Sequence, residues 1–182
     1  MKNDLKVEIV LGNGTTAQRE GKMIIIKGPK GEVSREFIHP KVTIAVDKEK
    51  IVLSAQKGTK REKTIINSYE AHLKNMVRGV KELYVYKLKV CSGHFPITAT
   101  VSGQEFVVKN FLGEIVPRKF VIPAGAEIKV SGAEVTVQSC NKEIAGMVAA
   151  KIEGICRITN RDLRIFQDGC YIIQKPENTL SA

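Results

Sequence analysis

GEVSREFIHP at residues 31–40 and GEIVPRKFVIP at residues 113–123 carry one pattern twice, and that repetition decides how this 182-residue chain is read. Gly31 matches Gly113, Glu32 matches Glu114, Phe37 matches Phe120 and Pro40 matches Pro123. The spacing then grows by one. Ile44 and Val46 align with Ile128 and Val130, and Ile51 and Leu53 with Val135 and Val137. An apolar strand precedes each Gly-Glu turn, at residues 23–26 and 106–108, and an amphipathic helix follows each, ending at Gly79 or Gly154. A shared order of elements is stronger evidence of duplication than scattered identities.

The first helix is the better specified. Thr59 followed by Glu62 forms a capping-box signature just ahead of Ile65, Ile66, Tyr69, Leu73, Met76, Val77 and Val80, which recur at helical spacing and predict one buried stripe. Gly79 suits the left-handed position that closes many helices. In the second helix Ile144, Met147, Val148, Ile152 and Ile155 share a face, with Gly146 and Ala149 permitting close approach to a sheet. Short alternating runs at 83–90, 98–101, 127–130 and 134–137 read as strands separated by glycine, proline and charge. The expected fold is α+β: two duplicated domains, residues 1–81 and 82–182, each a small, mainly antiparallel sheet packed against one helix.

Composition narrows function. Lys and Arg number 29 against 19 Asp and Glu, a net charge of +10 with a pI near 9.5. A polyanion is the usual reason for a compact protein to tolerate such self-repulsion; an anionic membrane surface is the alternative. The opening MKNDLKVEIV is charged and alternating, unlike a signal peptide, and no apolar run approaches a membrane span, so a cytoplasmic location is expected. Cys91, Cys140, Cys156 and Cys170 form no close pair of the kind that builds zinc sites, so they read as reduced, mostly buried thiols. No metal or cofactor is expected. GPKG at residues 28–31 lacks the Lys-Ser/Thr of a nucleotide loop, and no nucleophile motif is present, so the chain does not read as an enzyme. A protein–protein module with incidental basic charge is the rival reading.

Raw charge favours the first half. Residues 1–81 hold 17 basic and 9 acidic side chains, whereas residues 82–182 hold 12 and 10. Clustering favours the second. Apart from KGTKREK at 57–63, the first half's lysines are dispersed. In the second, Lys109, Arg118 and Lys119 flank a turn, Arg157, Arg161 and Arg164 crowd the segment CRITNRDLR, and Lys175 follows. A guanidinium can bridge phosphate oxygens and stack on bases, so the arginine cluster is the stronger RNA signal. Only 10 aromatic residues and no tryptophan argue against a single-strand stacking platform.

NFLGEIVPR (110–118), YKLKVCSGHFPI (86–97), NMVRGV (75–80) and RDLRIFQDGCYIIQK (161–175), in that relation along the chain, resemble the archaeal and eukaryotic branch of the large-subunit ribosomal protein L-six family. The resemblance covers nearly the whole chain. It implies a structural constituent of the large ribosomal subunit that binds 23S-type rRNA, chiefly through its second domain. It further implies a position near the base of the acidic-protein stalk and the translation-factor region, beside other large-subunit proteins. Carried over by position, Lys109, Asn110, Arg118 and Lys119 would meet RNA backbone beside a turn made possible by Gly113. Arg157, Arg161, Arg164 and Lys175 would do so from the C-terminal segment. Phe111, Leu112 and Phe166 are expected in the core, Asp162 is expected to orient a neighbouring arginine, and His94 to mark a strand end. Leu83, Ile115 and Cys170 depart from the family pattern, where glycine, a basic residue and an aliphatic residue are usual.

Overall fold

A computed structural model of the chain describes residues 3–12, 14–47 and 49–176. The outermost residues of the two expected domains, 1–2 and 177–182, lie outside the described residues. The chain divides into two compact units, residues 1–83 and 84–182.

The first unit runs through six strands and one helix: β1 (Asn3–Val10), β2 (Thr16–Glu20), β3 (Met23–Gly28), β4 (Gly31–Glu36), β5 (Thr43–Val46), β6 (Lys50–Gly58) and α1 (Lys60–Lys81). Its strands form two antiparallel sheets, β2-β3-β4 and β1-β6-β5. In β6, Ile51, Leu53 and Ala55 are buried at every second position, as a strand with one face on a core requires. The helix packs against strands of both sheets, burying Ile66, Leu73, Met76, Val77 and Val80. The capping box forms as expected: Thr59 caps the first turn, and Glu62 accepts from the Thr59 hydroxyl and, at 2.8 Å, from its backbone N–H.

The second unit repeats that order with β7 (Tyr84–Cys91), β8 (Thr98–Ser102), β9 (Glu105–Lys109), β10 (Arg118–Val121), β11 (Ala126–Ser131), β12 (Glu134–Ser139) and α2 (Lys142–Ile155). A final strand, β13 (Gly169–Gln174), joins the open edge of β7. The sheets are therefore β10-β9-β8 and β11-β12-β7-β13. The core gathers Leu88, Phe106, Val108, Phe111, Val135, Val137, Val148 and Ile152.

Cross-strand register tests the repeat directly. Ile44 pairs with Leu53 and Ile128 with Val137, while Val46 pairs with Ile51 and Val130 with Val135, so those residues are true equivalents. The Gly31–Gly113 match is not. Gly31 opens β4 after a two-residue turn, whereas Gly113 closes a 3-10 turn inside a longer connection, several residues before β10. Buried Ile26 opposes Val33, and the corresponding buried Val108 opposes Arg118, which fixes the offset at that strand. Neither helix ends at its glycine. Gly79 is buried within α1, and the helix runs on to Lys81 because the Val80 carbonyl accepts from Lys30 N–H and the Arg78 carbonyl from Glu82 N–H. With these carbonyls satisfied, no left-handed cap is needed.

Candidate nucleic-acid interface

Three connections meet at one end of the second unit. Residues 92–97 join the end of β7 to β8, residues 110–117 join β9 to β10, and residues 157–168 lead from α2 to β13. All three are irregular, so their backbone polar groups must find partners elsewhere. They find them in one another.

Asp168 ties the first connection to the third. Its side chain is 1% exposed, and Oδ1 accepts from the backbone N–H of Gly93 at 2.5 Å and of His94 at 3.0 Å. Oδ2 lies 2.6 Å from His94 Nδ1. Burial pushes this carboxyl up, but the hydrogen bonds from His94 and Gly93 outweigh it and hold the group below its ordinary value. Asn110 ties the first connection to the second by donating from Nδ2 to the Pro96 carbonyl at 3.0 Å. The Phe95 ring lies against Gly113, where an added Cβ would come within 3.4 Å of it. Asn110, Leu112 and Gly113 all hold left-handed φ values of 58°, 51° and 80°. Such a turn is costly for Leu112 and natural for Gly113.

Arg118 ties the second connection to the third. Its Nη1 donates to the Ile155 carbonyl at 2.8 Å and the Arg157 carbonyl at 3.2 Å, closing the end of α2. Nε donates to Glu114 at 2.7 Å and Nη2 to the other carboxylate oxygen. The guanidinium carbon sits 4.2 Å from the centroid of buried Phe111. Every nitrogen of Arg118 is thereby engaged within the protein, and its charge is matched by Glu114. Its geometry is that of a brace.

The framework displays a set of cations. Lys109, Arg157, Arg161 and Arg164 are all exposed. Arg161 lies 4.9 Å from the centroid of Phe166, which in turn stacks on His94 at 4.5 Å with 24° between the rings. Arg164 is held by Asp162 through Nε at 3.1 Å and Nη2 at 2.8 Å, with the side chain 90% exposed. The expectation for Asp162 therefore holds, and hydrogen bonds from Arg164 keep its carboxyl below the ordinary value. Phe111 is core, as expected, and Leu112 packs partly against it. Phe166 is not in the core: half-buried, it is the middle of the Arg161–Phe166–His94 stack. Two expected residues stand apart. Lys119 lies on β10 one position from Arg118, hence on the other face, and reaches Glu105 at 3.2 Å. Lys175 follows β13, which runs away from the cluster toward Lys87 of β7, placing it about 20 Å from Gly169 at roughly 3.3 Å per residue.

The chain belongs to the ribosomal protein L6 family. The pattern of the family described as Ribosomal protein L6 matches residues 11–83 and 95–169, one match in each unit. The chain is 35% identical over 176 residues to large ribosomal subunit protein uL6 of Methanococcus vannielii, covering 97% of both chains. It is 40% identical over 169 residues to uL6 of Methanocella arvoryzae, covering 92% of this chain and 96% of that one. Against uL6 of Nanoarchaeum equitans the identity is 38% over 179 residues, with 94% and 93% covered. Both L6 matches fall on the β-sheet-and-helix repeat, and the second ends at Gly169, the residue after the Asp168 anchor.

Sequence reasoning missed Asp168, His94 and the stacking role of Phe166. Asp168 and His94 are 74 positions apart, so no local spacing joins them. The available signal was an acidic residue directly before a glycine at a strand start, a place where a carboxylate can accept from backbone N–H groups. Among the described residues no group of three or more His, Cys, Asp or Glu is placed to hold a metal ion, and no helix is long and apolar enough to cross a membrane.

Proposed function

We propose that this chain is a structural, non-catalytic constituent of the large ribosomal subunit, and that the loop end of its second unit grips folded large-subunit rRNA. The observation that carries this is the cross-bracing of three irregular connections by Asp168, Asn110 and Arg118, which fixes four exposed cations on a preorganised frame. Preorganisation lowers the ordering cost of binding. Lys109, Arg157, Arg161 and Arg164 meet phosphates, Asn110 and Gly113 allow close backbone approach, and Arg118 holds the frame. Lys119 and Lys175 extend the contact from neighbouring faces. Family membership supports a seat near the base of the acidic-protein stalk and the translation-factor region, in the cytoplasm.

Exposed apolar side chains fit burial in an assembly. Ile115 is 98% exposed and Val116 76%, at the tip of residues 110–117, and Leu163 and Ile165 are 64% exposed in the third connection. Apolar side chains exposed together at loop tips favour packing against a partner. They suit packing against rRNA grooves and neighbouring ribosomal proteins.

The test is binding of the full chain to a large-subunit rRNA fragment across a salt series. With roughly six phosphates neutralised, log affinity falls against log salt with a slope near −5. Arg161→Ala with Arg164→Ala reduces that slope by about 2, while Lys6→Ala with Lys22→Ala leaves it nearly unchanged. Equal effects from the two pairs would mean a diffuse contact and would overturn the assignment to the loop end.

A further inference from the structure

We infer that Cys156 and Cys170 form a reversible dithiol–disulfide pair that can staple the 157–169 segment to the body of the second unit. Their sulfurs face each other at 3.4 Å, fourteen positions apart in the chain, and both side chains are buried, at 3% and 1% exposure. Cys156 is the C-terminal cap of α2. Cys170 lies in β13 directly opposite buried Val90 of β7. The pair therefore bridges the two fixed ends of the segment that carries Arg157, Arg161 and Arg164. A bond here needs the sulfurs to close by a little over an ångström to reach about 2.05 Å.

The other thiols are excluded by position. Cys91 is opposite Gly169, one residue out of step with Cys170, so it points to the other face of the sheet. Cys140 precedes α2 and Cys156 follows it, a separation of about 24 Å at 1.5 Å per residue. Arg118, whose Nη1 holds the Ile155 and Arg157 carbonyls on either side of Cys156, singles out the attacking sulfur. The hydrogen bond with Cys170, together with the Arg118 charge, holds the Cys156 thiol below its ordinary value against the effect of burial, whereas Cys170 is pushed up.

The oxidant is a low-molecular-weight disulfide such as glutathione disulfide. The Cys156 thiolate attacks one of its sulfurs, forming a mixed disulfide and releasing one glutathione thiolate. Cys170 then gives up its proton and attacks Cys156 Sγ, releasing the second glutathione. Two protein thiols are oxidised, one glutathione disulfide is reduced to two thiols, and the protein loses two hydrogens. Access comes when the 157–168 segment, which has no helix or strand, transiently releases its braces and lifts without unfolding the sheets. The pair would act as a redox-dependent clamp on that segment. Only its effect on RNA rests on the function proposed above; the bond itself does not.

The test equilibrates the folded full chain in glutathione buffers of stepped redox potential, traps free thiols by alkylation and maps the peptides. The expected product is lighter by two hydrogens, links the Cys156 and Cys170 peptides, and leaves Cys91 and Cys140 alkylated. Its melting midpoint rises by on the order of 10 °C, as closing a loop of this length implies. Cys170→Val gives no such product. A linkage through Cys91 or Cys140 would overturn the inference. So would the absence of any linked product from the folded chain in buffers that oxidise the denatured chain readily.

Discussion

Replacing Arg118 with lysine separates a brace from an RNA contact, because it keeps the charge and removes the fork. The Ile155 and Arg157 carbonyls lose a charged donor, at about 1.5 kcal/mol each. The stack on Phe111 adds about 1 kcal/mol. The Glu114 pair adds little, since that carboxylate is 41% exposed and solvent screens it. A lysine ammonium recovers one of these contacts, leaving a loss of about 3 kcal/mol. For a unit of this size each kcal/mol moves the midpoint by about 4 °C or more, so the unit's transition falls by upward of about 10 °C. Measured well below that midpoint, RNA affinity weakens because the frame loosens, but the salt slope stays the same, since no phosphate contact has gone. Differential scanning calorimetry and a salt series on Arg118→Lys read both quantities. A midpoint within about 2 °C of the parent would refute the brace; because lysine still neutralises a phosphate, a slope lower by about 0.9 in Arg118→Gln, with its midpoint also held, would make Arg118 a phosphate ligand.

Asp168→Ala strands the Gly93 and His94 amides and lowers stability by about 3 kcal/mol, visible as faster hydrogen exchange at those two amides. Because the folded-state value of Asp168 is lowered from 3.8, its contribution is fully present above that ordinary value and is lost as pH falls below it through the lowered one; Asp168→Asn flattens that part of an acid titration. Thr59→Ala removes the cap of α1 and costs about 1 kcal/mol, read by urea denaturation of the first unit's transition. Glu62 is held down to about 2 by the Thr59 hydroxyl and backbone N–H, so its contribution is complete above its ordinary 4.5 and disappears as pH drops from there toward 2, a trend that Glu62→Gln abolishes. Gly113→Ala forces a Cβ onto a left-handed residue at φ 80° and costs about 1 kcal/mol, with RNA affinity falling in step; an unchanged midpoint would mean the turn relaxes freely.

The sequence reveals the elements and the duplication because both rest on local periodicity. Ile51, Leu53 and Ala55 alternate, Ile66, Leu73 and Val77 recur at helical spacing, and the Thr59–Glu62 box lies within one turn. The face of the interface is less legible. Arginine clustering directs attention to 157–164, but whether a guanidinium is free or spent depends on partners far away in the chain. Arg118 binds carbonyls 37 and 39 positions downstream, and Asp168 binds a loop about 75 positions upstream. No periodicity encodes such pairings. The Gly31–Gly113 match misleads for a related reason: identity at a turn is weaker evidence than register, and the inserted connection shifts the strand that follows.

That inserted connection shows where the two copies part company, and the differences are not spread evenly. In the first unit β3 turns into β4 through Pro29 and Lys30 alone; in the second, residues 110–117 fill the same place. The first unit ends with its helix, whereas the second continues through residues 157–168 into β13. Both additions emerge at the same end, where Arg118 and Asp168 lash them to each other and to the 92–97 connection. The shared fold forms without either addition, since the first unit builds its two sheets and helix without them. What the additions supply is a rigid, cation-bearing edge. The first unit, though it holds more of the net charge, shows no counterpart to it among its described residues. On the function proposed here, position on a braced frame, more than the total of basic residues, decides which unit grips a polyanion.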